Sequence, residues 1–189
     1  MADTGKVVLI TGGGSGMGRE AARRFATEGA TVALFDVNTA GMAETAGTFD
    51  SIHSWTVDMT DFAAVCAAVR EVEEKLGPVE RLYNCAAIMP FGKLVEQDNA
   101  IIHKQMAINY GGLVNITQAV LPGMLQRGRG DFVSFASMAG LIPMLLTGAY
   151  TASKFAVVAF TETLYHENMH SGVRFACVCP PAVATPLLQ

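Results

Sequence analysis

The chain has 189 residues, of which 51% are apolar and 16% charged, and its formal net charge is −4. This length suits one domain with a sizeable core, and the apolar content argues against a disordered chain. The acidic balance and the lack of a block of basic residues give no reason to expect a nucleic-acid partner.

Six segments rich in Val, Ile and Phe predict β-strands, and the segments between them show helical spacing. The predicted strands cover residues 7–11, 31–37, 54–58, 81–87, 131–137 and 173–180. The predicted helices cover residues 17–28, 61–76, 97–126 and 148–170. Strands that alternate with helices are typical of a parallel sheet covered on both faces. The sequence therefore predicts a single doubly wound α/β domain over residues 1–189.

The first predicted strand runs into the turn TGGGSGMG, which places five glycines among eight residues. Glycine lets a ligand approach the backbone closely, and the start of the following helix offers N–H groups to a pyrophosphate. The spacing of Gly12, Gly16 and Gly18 differs from the commonest dinucleotide fingerprint, and a glycine-rich connection without a ligand is the alternative. The strand–turn–helix context favours a cofactor site that includes Ser15 and Met17.

Asp36 ends the second predicted strand, 18 residues after Gly18. A carboxylate at this spacing can accept hydrogen bonds from both hydroxyls of the adenosine ribose, and it would repel a 2′-phosphate. No Lys or Arg occurs in residues 12–18 or 37–38 to bind that phosphate. These features favour NAD over NADP as the cofactor, and an Asp that only caps a turn is the alternative.

Tyr150 and Lys154 are four residues apart near the start of a predicted helix, so their side chains can share one face. A tyrosine that removes a proton from an alcohol near neutral pH needs a pKa below its ordinary value. The Lys154 ammonium and an oxidised nicotinamide would both favour the ionised tyrosine. The pair is therefore a candidate for general acid–base catalysis, with a lowered Tyr150 pKa.

Taken together, these motifs resemble the short-chain dehydrogenase/reductase family. The matching segments are TGGGSGMG (11–18), NCAA (84–87), NYGG (109–112), SMAG (137–140), YTASK (150–154) and PPAVAT (180–185). They follow the family's order along essentially the whole chain. The resemblance implies a Rossmann-type fold and hydride transfer between NAD and a secondary alcohol or ketone.

The resemblance also implies individual roles. Tyr150 would be the general acid and base, Ser137 would bind the substrate oxygen, and Lys154 would bind the nicotinamide ribose. Asn109 would interrupt its helix and hold a water that links Lys154 to solvent. Further cofactor contacts are implied at Asp58, Met59, Asn84, Val183 and Thr185. Taken singly, Ser137 could merely end a strand, Asn109 could be a buried structural amide, and Thr185 could be a cap.

Three positions depart from the family pattern. Ala87 and Pro181 each replace a glycine and could restrict the backbone beside the cofactor, since proline fixes φ and has no N–H. Cys85 replaces an asparagine, and we expect its side chain to point from a strand interior and to be tolerated.

Family members continue past the position of Gln189 with a helical lid and a last strand. We therefore expect the domain of residues 1–189 to be incomplete at its C-terminus. The sixth strand would then be an uncovered edge, and the substrate pocket would lack one wall.

Two other features have competing interpretations. His166 and His170 are four apart on one predicted helix, a spacing that can bind zinc. No H-E-x-x-H accompanies them, so a solvated helix face is favoured and no metal is predicted. The apolar segment 140–149 could line a hydrophobic substrate pocket or pack in the core.

The cysteines and the hydropathy pattern bear on location. Cys177 and Cys179 alternate on an apolar run and are interpreted as buried strand thiols rather than a redox pair. No run of 18 apolar residues occurs, and no charged-then-apolar leader is apparent. We expect a cytoplasmic protein with no membrane partner.

The sequence leaves more than one function open. The leading hypothesis is an NAD-dependent oxidoreductase whose partner is a small apolar alcohol or ketone. The alternative is a non-catalytic NAD-binding module or truncated family member, and a dehydratase or epimerase is less favoured because such relatives are usually longer. The resemblance also implies a homodimer or homotetramer paired through helices 97–126 and 148–170.

Overall fold

The computed structural model describes residues 4–188 and shows a six-stranded parallel sheet in the order β3-β2-β1-β4-β5-β6. The strands are β1 (Val7–Thr11), β2 (Thr31–Asp36), β3 (Ile52–Thr56), β4 (Val79–Asn84), β5 (Gly130–Phe135) and β6 (Val173–Val178). The helices are α1 (Gly16–Thr27), α2 (Thr39–Ala46), α3 (Phe62–Leu76), α4 (Asn99–Met106), α5 (Gly112–Arg127) and α6 (Gly148–Glu167). This strand order is Rossmann-type, and the predicted doubly wound α/β fold is confirmed.

Local sequence explains several boundaries. The Asp61 side chain accepts a hydrogen bond from the Ala64 N–H at 3.0 Å and so caps the start of α3. Gly77 follows the last residue of α3 with a φ of +102°, a conformation that favours glycine. A side-chain cap at one end and a glycine with positive φ at the other therefore set the limits of α3.

The structure differs from the predicted elements in several places. The helix predicted over 97–126 is divided by a π-helical turn between α4 and α5. Helix α2 was not predicted, and β4 begins and ends before the predicted segment 81–87. The helix predicted over 148–170 ends at Glu167, so His170 lies beyond α6 and does not share a helix with His166.

The core lies on both faces of the sheet because successive side chains of β1 point to opposite sides. Leu9 joins one cluster, which the helices α3, α5 and α6 cover, and Ile10 joins the other, which α1 and α2 cover. Both side chains are fully buried.

The strand β6 lies at one edge of the sheet formed by the described residues. The helices α5 and α6, which pack on β5 and β6, contribute buried residues to the first cluster only.

Across residues 4–188, no helix is both long and apolar enough to cross a membrane.

A row of charged side chains crosses three neighbouring strands. Arg81 of β4 is in register with Asp131 of β5, which is in register with Arg174 of β6. The Asp131 carboxylate accepts hydrogen bonds from Arg81 at 2.7 and 2.9 Å and from Arg174 at 2.6 and 2.8 Å. Burial opposes ionisation of Asp131, but the hydrogen bonds from both arginines outweigh it and hold its pKa below the ordinary value.

We expect Asp131→Asn to lower the free energy of unfolding by about 2–4 kcal/mol near neutral pH, because it removes the charge that accepts hydrogen bonds from both arginines. A carboxyl whose pKa is lowered by folding stabilises the protein above its unfolded pKa, and this contribution is lost as the pH falls. The deficit should therefore shrink in acid. Urea unfolding of the wild type and the variant, near neutral pH and in acid, measures the deficit in each condition. Asp50→Asn, at an exposed position, is the control. An equal deficit at both pH values would contradict the electrostatic explanation.

Candidate active site

Two positions of the glycine turn between β1 and α1, Gly12 and Gly18, have no room for a Cβ. Gly12 has a φ of +69°, and a Cβ added there would lie 2.8 Å from the Ala86 nitrogen. A Cβ added at Gly18 would lie 2.3 Å from the Gly12 carbonyl oxygen, which is closer than real Cβ atoms approach. The turn is therefore packed against the residues that follow β4, and α1 begins directly beside it.

A cavity of about 230 Å³ opens beside this turn, at the carboxyl ends of the central strands. The predicted cofactor residues that line it are Gly12, Ser15, Gly16, Met17, Gly18, Asp36, Asp58, Met59 and Thr185. The N-cap residue Ser15 makes no side-chain hydrogen bond to its helix. The first N–H groups of a helix lack intrahelical partners, so this end of α1 can bind an anion. The donors, the glycine backbone and the position fit a dinucleotide pyrophosphate.

Asp36 lies at the end of β2 and connects the cavity to the glycine turn. One carboxylate oxygen accepts the Gly14 N–H at 2.9 Å, and the other accepts the Asn38 N–H at 2.9 Å. The side chain therefore caps a turn and also lines the cavity. Carboxylate oxygens have further lone pairs, so these bonds leave Asp36 able to accept from a ribose hydroxyl.

The family resemblance also implies cofactor contacts at Asp58, Asn84 and Val183, and these three residues differ in where they lie relative to the first cavity. The exposed Asp58 carboxylate accepts hydrogen bonds from the backbone and side chain of Thr60, and these lower its pKa. Asn84 is not among the cavity-lining residues, and its amide oxygen accepts the Thr11 hydroxyl at 2.7 Å. Val183 lines a neighbouring cavity.

That second cavity, of about 130 Å³, contains the candidate catalytic residues Ser137 and Tyr150. It shares Met17, Thr185 and Leu187 with the first cavity, so the two are adjacent. Burial raises the pKa of Tyr150, while a hydrogen bond with the Ser137 side chain lowers it by less. The expected lowered pKa of Tyr150 is therefore not what this structure shows, because desolvation of the buried phenol dominates.

Lys154 lies one helical turn after Tyr150 and is almost completely buried. Its Nζ donates a hydrogen bond to the Phe135 carbonyl oxygen at 2.7 Å and lies 5.5 Å from the centre of the Tyr150 ring. Burial lowers the pKa of Lys154 to about 8. The side chain is therefore still mostly protonated at neutral pH.

The cysteines around Lys154 differ from their predicted environments. Cys85 follows the end of β4 instead of lying inside the strand, and it lines the first cavity. Cys177 lies in β6, but Cys179 follows the strand, and both are only partly buried. Burial raises the pKa of Cys85 to about 12 and that of Cys177 to about 11, so both are protonated thiols at neutral pH.

Asn109 lies in the π-helical turn Ala107–Gly111 and is buried. Its amide nitrogen donates to the Ile88 carbonyl oxygen and to the Ser153 hydroxyl, both at 3.0 Å. Its amide oxygen accepts the Ile88 N–H at 2.8 Å. The interruption of the helix thus turns this amide toward the segment after β4, which lines the first cavity.

The apolar segment 140–149 does not pack in the core, so that alternative is wrong for its middle. Residues 141–146 are exposed, with Leu145 93% exposed, and Met144 lines the second cavity. The two departures that replace a glycine of the family pattern also lie at the site. Ala87 lines the first cavity and Pro181 the second.

Sequence reasoning missed Arg19 at this site. The Arg19 guanidinium donates to the Gly14 carbonyl oxygen at 2.6 Å, so the N–H and the C=O of Gly14 are both held by side chains. Its other partners lie on α2, a helix that the sequence pattern did not reveal.

Comparison with known proteins agrees with this geometry. A sequence model of the family described as short chain dehydrogenase matches residues 6–189. The 2-keto-3-deoxy-L-fuconate dehydrogenase of Xanthomonas campestris pv. campestris is 34% identical over 185 residues, which cover 97% of this chain and 60% of that enzyme. The chain belongs to the short-chain dehydrogenase family.

Two further proteins are similar over most of the chain. The 2-dehydro-3-deoxy-L-rhamnonate dehydrogenase (NAD(+)) of a Sphingomonas strain is 35% identical, over 98% of this chain and 75% of that enzyme. The crystal structure of a short-chain dehydrogenase/reductase from Burkholderia phymatum in complex with NAD has a TM-score of 0.94 at 33% identity. That match covers 99% of this chain and 69% of the other.

Proposed function

We propose that this chain is the cofactor-binding and catalytic part of an oxidoreductase that transfers a hydride between NAD and a secondary alcohol or ketone. The observation that carries the proposal is the position of Tyr150. It lies with Ser137 in the lining of an apolar cavity that adjoins the glycine-turn cavity. Family membership and the relatives named as dehydrogenases support the same reaction class.

NAD is proposed over NADP because Asp36 lines the first cavity and no Lys or Arg lies in residues 12–18 or 37–38. When bound, NAD supplies the hydride acceptor for oxidation, and its reduced form supplies the hydride for reduction. The first turn of α1 and Ser15 would hold the pyrophosphate, and Asp36 would hold the adenosine ribose. A related enzyme named as NAD(+)-dependent and a related structure with NAD support this choice.

Tyr150 would move the proton. In oxidation its phenolate oxygen accepts the proton of the substrate hydroxyl, and in reduction its hydroxyl donates a proton to the carbonyl oxygen. The Ser137 hydroxyl would bind the same substrate oxygen, and the Lys154 ammonium would stabilise the ionised phenol.

We propose that Asn109 holds the water through which Lys154 exchanges protons with solvent. The described hydrogen bonds use both N–H groups of its amide and one lone pair of its oxygen. The remaining lone pair could hold the water of the proposed relay. Ser153, which accepts from Asn109, lies next to Lys154 on α6 and would keep the amide in place.

The lining of the second cavity favours a neutral apolar substrate. Among the described residues that line it, none is charged, and the polar side chains are Ser137, Thr147, Tyr150 and Thr185. Burying a carboxylate against such walls without a cationic partner is costly. This lining differs from what a keto-acid substrate needs, so we propose that apolar secondary alcohols are oxidised in preference to hydroxy acids.

The test is to incubate the purified protein with NAD and a panel of apolar secondary alcohols, with hydroxy acids of matched size as controls, and to follow NADH absorbance. We expect NADH from the apolar alcohols and a lower kcat/KM for each matched hydroxy acid. Binding of NADH without turnover of any alcohol would instead favour a non-catalytic NAD-binding module. This module is a second candidate because the segment 141–146, beside the second cavity, is exposed.

We also propose a homodimer or homotetramer built through α5 and α6. Phe155 of α6 is 41% exposed and Tyr165 46% exposed, so this helix presents large apolar surface outward. Analytical ultracentrifugation gives the mass in solution, and a monomer at all concentrations would contradict the proposal.

A further inference from the structure

Arg19 ties the glycine turn to α2 through several hydrogen bonds. Its guanidinium forms an ion pair with Glu44 and donates to the Thr45 hydroxyl at 3.1 Å. It also donates to the carbonyl oxygens of Gly14 at 2.6 Å and Gly41 at 3.4 Å. Four of the five guanidinium N–H groups therefore have protein acceptors.

Arg19 faces an open hollow of about 880 Å³ between the starts of α1 and α2. Among the described residues that line this hollow, Arg19 is the one cation, and Glu20 and Glu44 are the two anions. The Arg19 side chain is 19% exposed and that of Glu44 is 64% exposed. The charge that a ligand in the hollow would meet is thus decided by whether Arg19 is neutralised.

The hollow adjoins the position of Asp36. Asp36 accepts the N–H of Gly14, and Arg19 donates to the C=O of the same residue. A phosphate attached to a ribose held by Asp36 would therefore enter the surroundings of Arg19. There the charge of the guanidinium is already neutralised by Glu44. Its N–H groups already donate to Glu44, to Thr45 and to two backbone carbonyl oxygens.

We propose that Glu44, through its ion pair with Arg19, is a determinant of cofactor specificity that works against a dinucleotide with a phosphate on the adenosine ribose. Asp36 repels such a phosphate directly, and Glu44 withholds the cation that could compensate. The inference rests on the proposed use of NAD. Glu44 acts through Arg19 and is a positioning residue, since nothing requires it to touch the cofactor.

The size of the effect follows from electrostatics in a partly exposed site. Removing Glu44 leaves the Arg19 guanidinium without its ion-pair partner, so its charge can attract the phosphate at an effective dielectric constant of about 20 or more. We expect the ratio of NADP affinity to NAD affinity to rise about threefold to tenfold in Glu44→Gln. The gain should shrink in high salt because exposed charges are screened.

The experiment measures dissociation constants of NAD and NADP by isothermal titration calorimetry at low and high salt, for the wild type and the variant. Glu44→Lys should raise the ratio at least as much. Glu20→Gln is the matched control, because Glu20 lines the same hollow and carries the same charge but does not pair with Arg19 in the described contacts. Its effect on the ratio should be smaller.

The possible results separate the two proposals. A wild type that binds neither nucleotide would overturn the proposed use of NAD and this inference with it. A wild type that binds NAD, with an unchanged ratio in both Glu44 variants, would overturn the role of Glu44 alone. An equal gain in Glu20→Gln would also overturn it, because the cause would be the net charge of the hollow and not the release of Arg19.

Discussion

Replacing Tyr150 with Phe is expected to lower kcat by about 10²–10⁴-fold, because the variant has no phenolic oxygen to accept or donate the proton of the substrate. The ring itself is buried and lines the second cavity, and Phe keeps its shape. The fold should therefore be preserved. Steady-state kinetics with the best alcohol of the panel, together with NADH titration, separates a loss of chemistry from a loss of binding.

The matched control is Tyr165→Phe, which deletes the same atom from an exposed tyrosine on the same helix. It should leave kcat within about twofold of the wild type, as surface substitutions usually do. Undiminished turnover in Tyr150→Phe would sink the proposed mechanism and assign the proton transfer to another group, with the Ser137 hydroxyl as the nearest candidate.

The sequence was most informative where local chemistry decides the structure. The apolar run of β1 is bounded by polar residues and glycines, and its predicted limits agree with the observed strand. Asp61 and Gly77 carry helix-boundary preferences that need no knowledge of the rest of the chain. The order of these elements was enough to predict a parallel sheet, because strands alternating with helices have few other arrangements.

Elements that depend on tertiary contacts were missed or misplaced. The helix α2 has small residues and a glycine, Gly41, in its first turn, so its sequence shows little helical pattern. A Cβ at Gly41 would lie 2.5 Å from the Gly14 carbonyl oxygen, which shows that the glycine serves close packing against the turn. The π-helical turn around Asn109 likewise needs a partner, the backbone of Ile88, that is distant in sequence.

In the site, too, features set by local sequence were predicted and features set by tertiary contacts were not. Motif spacing and the family resemblance predicted most of the site residues that line the two cavities, but Asn84, Asn109 and Lys154 lie outside both linings. The pKa of Tyr150 depends on the buried environment of the phenol, which is a property of the packed protein. The partners of Arg19 on α2 lie 22 to 26 residues further along the chain, and the Thr11–Asn84 hydrogen bond joins two strands. Such contacts follow from topology and side-chain rotamers, which no local pattern specifies.

Replacing Gly18 with Ala is expected to damage both stability and cofactor binding. The added Cβ would lie 2.3 Å from the carbonyl oxygen of Gly12 and 2.9 Å from its carbonyl carbon. These are backbone atoms, and there is little free space beside Gly12, since a Cβ added there would lie 2.8 Å from the Ala86 nitrogen. The start of α1 must therefore move away from the turn. We expect a loss of about 2–4 kcal/mol in the free energy of unfolding and at least about tenfold weaker NADH binding.

Urea unfolding and NADH titration measure the two effects, and Gly111→Ala is the control. Gly111 is also helical, and a Cβ there would come no closer than 3.9 Å to the nearest atom considered, the Met106 carbonyl oxygen. Alanine has the higher helix propensity by about 1 kcal/mol, so the control should be neutral or slightly stabilising. Because both variants gain the same propensity, the difference between them isolates the clash at the turn. Equal stability and equal NADH affinity in the two variants would show that the turn can relax, and the close approach of α1 to β1 would then not be what shapes the cofactor site.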